Sequence, residues 1–455
     1  MSRTARCLLR APLWLTLLVA CAQPGTDMIA LEGATLIDGT GRAPVRDALI
    51  LIRHGRIEAV ARVREIPVPR GARVIDLVGK TVIPGLIDAH AHVEAWAAQR
   101  YVAWGVTAVR DFHQADSAAW TLREEFNLGS VLGPRVYSAG TMIDGAPATD
   151  PAATGVATPQ EGRRAVDQRS IPGADFIAAA TRITPDLLAA LVDEARTLHM
   201  VVAAHLGKTD ALTAARAGVA SIEQGSGIVQ AVSADRDAVL RAHDRFFAGW
   251  TAEEQAWARL DSATVTRVAR QLAATQVALV PTLVRHETIS RLDDPGLLAR
   301  PEMDDLPSGA ASVRGVAALL RRSGWQSRDF EAFRRSRTRQ DQFVRDFKRA
   351  GGIVAAGSDA ANPLLVPGAA LHGEMALLVR AGFTPVEAIT AATRRGAHLL
   401  GADSLGTLTH GKVADLVVLN SNPATRITAT RDIAWVMLRG RIVRPDSLRA
   451  AWSGP

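Results

Sequence analysis

Two histidines close an apolar run, Val82-Ile83-Pro84-Gly85-Leu86-Ile87-Asp88-Ala89-His90-Ala91-His92. Side chains alternate faces in an extended segment, so His90 and His92 project to one side and can grip a single cation. Surface histidines pair by chance, and a lone His-x-His says little. Here the pair ends a strand that reads as buried, which is the placement metal binding requires. The Pro84-Gly85 step before Leu86 suits a strand entering from another domain.

The elements that must hold this pair are legible as a repeated pattern. With 455 residues the chain exceeds one ordinary domain, and a large barrel with an appendage is the expectation. Strand candidates fall at 82–89, 106–111, 135–139, 176–180, 200–204, 220–223, 278–282 and 353–357. Helical patterns lie between them at 185–198, 209–217, 262–275 and 340–350, with Pro185 and Pro385 at first-turn positions. Alternating strand and helix predicts a parallel α/β sheet. Eight such units predict a closed (β/α)8 TIM-type barrel, whose chemistry sits at the C-terminal ends of the strands. His90 and His92 lie at such an end. The connections 229–260 and 286–338 are long, mostly helical and charged; a lid over the mouth and a solvated insertion both fit them. Short strands with turns at 31–37, 48–53, 56–60 and 74–77 recur in character at 415–419, 434–438 and 441–443, and meet most simply as one small β-sandwich. The expected layout is a leader at 1–20, the barrel at 84–403, and a β-sandwich built from 28–83 and 404–450.

Composition narrows the class. Hydrophobic residues at 48% allow a large core, and aromatic residues at 5% make it mostly aliphatic. The formal charge of +7 does not argue for nucleic acid, since the only lysines are Lys80, Lys208, Lys348 and Lys412 and the arginines are scattered. Arg3, Arg6 and Arg10 precede an apolar run at 11–20 that is too short to span a bilayer, the pattern of an export signal. Leu18-Val19-Ala20-Cys21 resembles a bacterial lipobox, which places a lipid on Cys21 and anchors the chain at the periplasmic face of the envelope. Ordinary cleavage after Ala20-Cys21-Ala22 is the alternative, giving a soluble periplasmic or secreted protein. Cys7 leaves with the leader, so the mature chain can form no internal disulfide.

Further motifs fall in order: Gly33-Ala34-Thr35-Leu36-Ile37-Asp38-Gly39, Gly105-Val106-Thr107-Ala108-Val109-Arg110-Asp111, Ala203-Ala204-His205, Ser221-Ile222-Glu223-Gln224-Gly225, Ala355-Ala356-Gly357-Ser358-Asp359-Ala360 and Gly411-Lys412-Val413-Ala414-Asp415-Leu416. With the His-x-His strand, these make the chain resemble the amidohydrolase superfamily, in its imidazolonepropionase-like and prolidase-like branch. The resemblance covers nearly everything after the leader. It implies a two-metal site: the first-strand pair, a carboxylated lysine on the fourth strand, histidines on the fifth and sixth, and an aspartate on the eighth. His90, His92, His205 and Asp359 match. Ala178 stands where the lysine is expected, and Gln224 where the sixth-strand histidine is expected. A bridging carbamate cannot form at Ala178, and an amide is a poor ligand for a borderline transition metal.

What remains is a one-metal set. Three imidazoles and a carboxylate can hold a single Zn²⁺ or another divalent transition metal and leave room for water. The resemblance then gives Asp359 a second role, taking the proton of the water and passing it to a leaving nitrogen. Gln224 can donate to a developing oxyanion. Taken alone, His205 reads as a core histidine and Asp359 as a turn or cap residue. Lys208 reads as a solvated lysine at a helix start, with replacement of the missing carbamate as the rarer alternative. Glu223 is expected on the opposite strand face, toward the helices; His113 and His372 on loop and surface; and Asp111 as a tie for the second-strand turn. The expected activity is metal-dependent hydrolysis of a C–N bond in a small molecule: an amide, a cyclic amide or a dipeptide-like compound. The alternative is a relative that kept the fold and lost turnover, which becomes a real competitor once two ligand positions are gone. Substrate identity and oligomeric state stay open.

Overall fold

The computed structural model describes residues 27–112, 115–307, 310 and 314–452. The leader, Cys21 and His113 lie outside the described residues. Among those described, no helix is long and apolar enough to cross a membrane.

Eight parallel strands form the barrel: Leu86–Ala91, Val106–Asp111, Arg135–Ser138, Ile177–Ala179, Val202–Ala204, Ser221–Glu223, Ala278–Val280 and Ile353–Val354. The ring closes where the Ala89 amide donates to Ala356 O at 3.0 Å and the Ser358 amide donates to His90 O at 3.1 Å. On the other side Ile143–Gly145 extends the third strand and bridges to the fourth through Ile143 and Ala179. Val, Ile, Leu and Ala fill the layer between the strands and the helices, as the aliphatic composition requires.

The run expected as one strand over 82–89 is two. Thr81–Pro84 belongs to the terminal sheet and Leu86–Ala91 to the barrel, with Gly85 between them. A Cβ on Gly85 would lie 2.2 Å from Thr107 Oγ1, so only glycine lets the chain pass from one sheet to the other here. The terminal sheet has eight strands. Along its path the order is Arg441–Val443, Ile433–Leu438, Leu416–Leu419, Thr81–Pro84, Met28–Leu36, Val45–Arg53 and Arg56–Arg62, and Arg73–Asp76 pairs beside Met28–Leu36. Leu416–Leu419 runs antiparallel to Thr81–Pro84, which joins the two ends of the chain in one small β domain.

The two long connections fold as helices over the mouth. Phe246–Trp257 and Val316–Ser323 both turn side chains into the central cavity, which makes them cover for the site.

Candidate metal and catalytic site

A cavity of about 460 Å³ opens at the C-terminal ends of the strands. His90, His92, His205, Gln224 and Asp359 all line it, as does Ala178. Its outer wall is apolar and aromatic, from Phe246, Phe247, Trp250, Ile289, Leu292 and Leu319.

Three of these residues make a tight group. One ligand atom each from His90, His92 and Asp359 lies within 4.8 Å of the others. His92 Nε2 is 3.1 Å from Asp359 Oδ1, and His90 Nε2 is 3.4 Å from the same oxygen. His205 stands on the same cavity wall but is not a member of that group. Alternation along Leu86–Ala91 turns Asp88 and His90 inward together, and His92 follows at the strand's end. Asp359 sits in left-handed backbone, φ 59°, which lifts its carboxylate out of the strand line and over the histidines.

Glu223 corrects the expectation that it faces the helices. It is fully buried and points into the barrel, where Oε2 lies 2.8 Å from His90 Nδ1. Ser221 and Glu223 share the inner face of Ser221–Glu223, and Ile222 faces outward. Gln224 also reaches the cavity because it leaves the strand in left-handed backbone, φ 57°, and breaks the alternation. Two neighbours thus face inward where strict alternation allows one. The Glu223 contact fixes the His90 ring and directs Nε2 to the cavity, the outer-shell arrangement that metal-bound histidines use. Arg110 and the Ser221 hydroxyl in turn hold Glu223 Oε1, the Arg110 bond at 3.2 Å.

Burial pulls the His90 imidazole down, but its bonds to Asp359 and Glu223 outweigh that and push it up to about 9. For Asp359 burial acts upward, yet His90, His92 and Arg285 hold the carboxyl well below the usual range. Burial, with Arg285 and His90 nearby, keeps the His205 imidazole well below its ordinary value, so it carries a free lone pair at neutral pH.

Gln224 Nε2 lies 3.3 Å from His90 Nε2, and its buried Oε1 has no hydrogen-bond partner among the described residues. That orphaned oxygen, with the ionised Asp359 and the neutral His205 on the same cavity wall, fits a site that takes a cation. The position of Ala178 does not add to it. Ala178 packs with Phe112, Phe176 and Ala203, and His90 stacks on Phe112 at 3.9 Å, so this part of the floor is apolar.

Arg285 has no sequence motif around it, yet its Nε lies 2.9 Å from Asp359 Oδ2. His286 beside it joins Glu254 at 2.5 Å and Gln224 O at 2.9 Å. Lys208 pairs with Asp244 at 2.6 Å and does not line the cavity, so it takes no place at the missing carbamate. Asp111 accepts from the Val93 amide at 2.9 Å and from Ser138 Oγ at 2.8 Å, tying the second strand to the loop after the first. His372 is not on the surface: it is buried in Ala369–Arg380, between Thr430 Oγ1 and Trp104 O at 2.9 Å each.

A barrel closed by eight parallel strands, with this group at its C-terminal mouth and a sheet from both chain ends beside it, defines the class. The family model of the amidohydrolase family matches residues 81–443, and the chain belongs to that family. An imidazolonepropionase of Idiomarina loihiensis is 39% identical over 70 residues, 15% of this chain and 17% of its own length. One from Klebsiella pneumoniae is 50% identical over 44 residues, 10% of each chain. These matches span far less than two thirds of either relative. A Bifidobacterium longum structure provisionally called a prolidase is 27% identical and superposes with a TM-score of 0.68, covering 95% of this chain and all, 100%, of that one. A bottromycin amidohydrolase gives a TM-score of 0.70 at 21% identity, over 95% of this chain and 92% of its own, a likeness of fold alone.

Proposed function

We propose that the protein hydrolyses a C–N bond of a small-molecule amide, with one divalent transition metal held by His90, His92 and Asp359 and with His205 as the fourth donor. Zinc suits three imidazoles and a carboxylate. The observation that carries the reading is the approach of His90, His92 and Asp359 within 4.8 Å, with Glu223 orienting the first of them. A divalent ion there would lower the pKa of bound water to roughly 7 and polarise a carbonyl.

The chain's own residues supply the rest. His205, kept neutral, offers its lone pair. Asp359 is ionised across the neutral range, so it serves as an anionic ligand and as a proton acceptor. Gln224 Nε2 carries the N–H that can donate to an oxyanion forming in the cavity. The aromatic wall favours a substrate with apolar substituents.

A fold-sharing binding protein without turnover is the competing reading, favoured by the apolar surroundings of Ala178 and by the Arg285 contact on Asp359. Metal analysis of the purified chain, with hydrolysis assays on N-acyl amino acids, dipeptides and cyclic amides, separates the two. The proposal expects about one tightly held ion per chain. His92→Ala should lose both the ion and activity, whereas Gln224→Ala should keep the ion and lower kcat by on the order of 10²-fold. A chain that takes up no metal at micromolar zinc ends the hydrolase reading.

A further inference from the structure

Asp359 divides its oxygens between unlike partners. Oδ1 faces the two imidazoles, and Oδ2 lies 2.9 Å from Arg285 Nε. The guanidinium is buried, lines the cavity, and lies 3.8 Å from the centre of the Trp250 ring. It is also held rigidly from both sides along the chain. Glu374 Oε2 accepts from the Val284 amide at 2.7 Å, and His286 is clamped between Glu254 and the Gln224 carbonyl. Arginine keeps its charge in proteins, so this is a permanent cation on the carboxylate. The rest of the floor offers little to a further ion, since Ala178 sits in an apolar cluster and Gln224 presents a neutral amide.

We infer that Arg285 is a resident cation of the barrel mouth, which by occupying Asp359 Oδ2 confines the site to a single divalent ion on the Oδ1 side. The inference rests on the reading of His90, His92 and Asp359 as metal ligands. Paired catalytic metals stand about 3.5–4 Å apart and need donors that reach both ions. In this mouth the second carboxylate oxygen already carries a positive charge, and like charges at such spacing repel strongly where water is excluded. The guanidinium also opposes the first ion, so its removal should tighten the binding of that ion.

The test is a competition titration of zinc against a chromophoric chelator on the full chain, with bound metal counted by mass spectrometry. Wild type is compared with Arg285→Lys, Arg285→Met and Arg285→Gln, and each variant is checked by thermal melting. Wild type and Arg285→Lys should each hold one ion with similar affinity. Arg285→Met and Arg285→Gln should bind it on the order of tenfold more tightly. The glutamine keeps an N–H for Asp359 without the charge, and so covers the case where methionine fails to fold. Adding donors by Ala178→Lys with Gln224→His should leave one ion while Arg285 is present and admit two once Arg285→Gln is added. Zinc binding unchanged or weakened in the neutral variants overturns the inference, as do two ions with Arg285 intact. A wild type that binds no zinc, even beside an Arg285→Gln variant that binds one, overturns the one-ion inference and the hydrolase reading together. A wild type that binds one beside neutral variants of unchanged affinity overturns the inference and leaves the hydrolase reading standing, whereas one ion bound as expected with no amide hydrolysed does the reverse.

Discussion

His90 is held by opposed carboxylates, Glu223 on Nδ1 and Asp359 on the Nε2 side. Behind Glu223 stands Arg110, wholly buried and packed over the rings of Phe112 and Phe176 at 4.9 and 4.3 Å. Among the described residues its Nη1 has hydrogen-bond partners, Ser221 Oγ and Glu223 Oε1, while Nε and Nη2 have none. Such a chain tolerates loss of either end badly, because a buried charge left without its partner costs about 3–5 kcal/mol. Glu223→Gln should therefore lower unfolding stability by an amount in that range, and loosen zinc roughly 10–100-fold as His90 loses its fixed orientation. Urea unfolding and chelator competition measure the two effects; a stable variant with unchanged zinc affinity would remove Glu223 from the site. His90 and His92 were legible in the sequence because their spacing matches the strand period, and Asp359 through its motif. Glu223 was not, because the inward face was given to Gln224, and no local pattern announces the left-handed residue that brings both inside. Arg285 was invisible for a different reason. One arginine among 53 basic side chains carries no spacing signal, and only the fold sets it against Asp359.

At the scale of the element, the short helix Leu283–Ile289 determines how the seventh strand enters the site. It starts from Thr282 in left-handed backbone, φ 43°, and its buried amide end is met by Glu374 from Ala369–Arg380. Burial drives the Glu374 carboxyl up, against its bonds from the Val284 and Leu283 amides, to about 8 from an ordinary 4.5. Its buried Oε1 has no hydrogen-bond partner among the described residues. The folded chain thus keeps a proton that the unfolded chain releases between pH 4.5 and 8, and stability falls as pH rises through that window. Glu374→Gln retains an oxygen for Val284 and cannot ionise. It should match wild type near pH 4.5 and exceed it at pH 8 by on the order of 4 kcal/mol. Denaturant curves across this range decide it, and parallel pH profiles for the two proteins would refute the assignment. The eight barrel strands were readable as apolar runs separated by helical stretches. The domain change at Gly85 was marked by the Pro84-Gly85 step, but the apolar residues continue on either side, so 82–89 read as one strand, and the approach of Thr107 shows that two sheets meet there.

The whole molecule is joined through the strand Leu416–Leu419, all four residues of which are buried. Its faces serve different cores. Val417 and Leu419 pack into the barrel's apolar cluster, and Leu416 and Val418 into that of the small β domain. Val417 lies over Gly105, where an added Cβ would meet Val417 Cγ2 at 2.9 Å, so the strand docks almost directly on barrel backbone. Period-two alternation thus makes one strand a shared wall, and neither core is complete without it. The consequence is thermodynamic: a defect on either face should weaken one cooperative unit rather than its own half. Val417→Ala and Val418→Ala should each cost about 2 kcal/mol as transfer and cavity terms combine, and each should shift a single unfolding transition. The two substitutions are adjacent on the strand but point to opposite faces and share no core cluster, so any departure of the double variant from their sum measures coupling through the strand itself. Calorimetry reads this directly. Two resolved transitions, with Val418→Ala moving one and Val417→Ala the other, would show that barrel and β domain unfold independently and that the shared strand does not couple them.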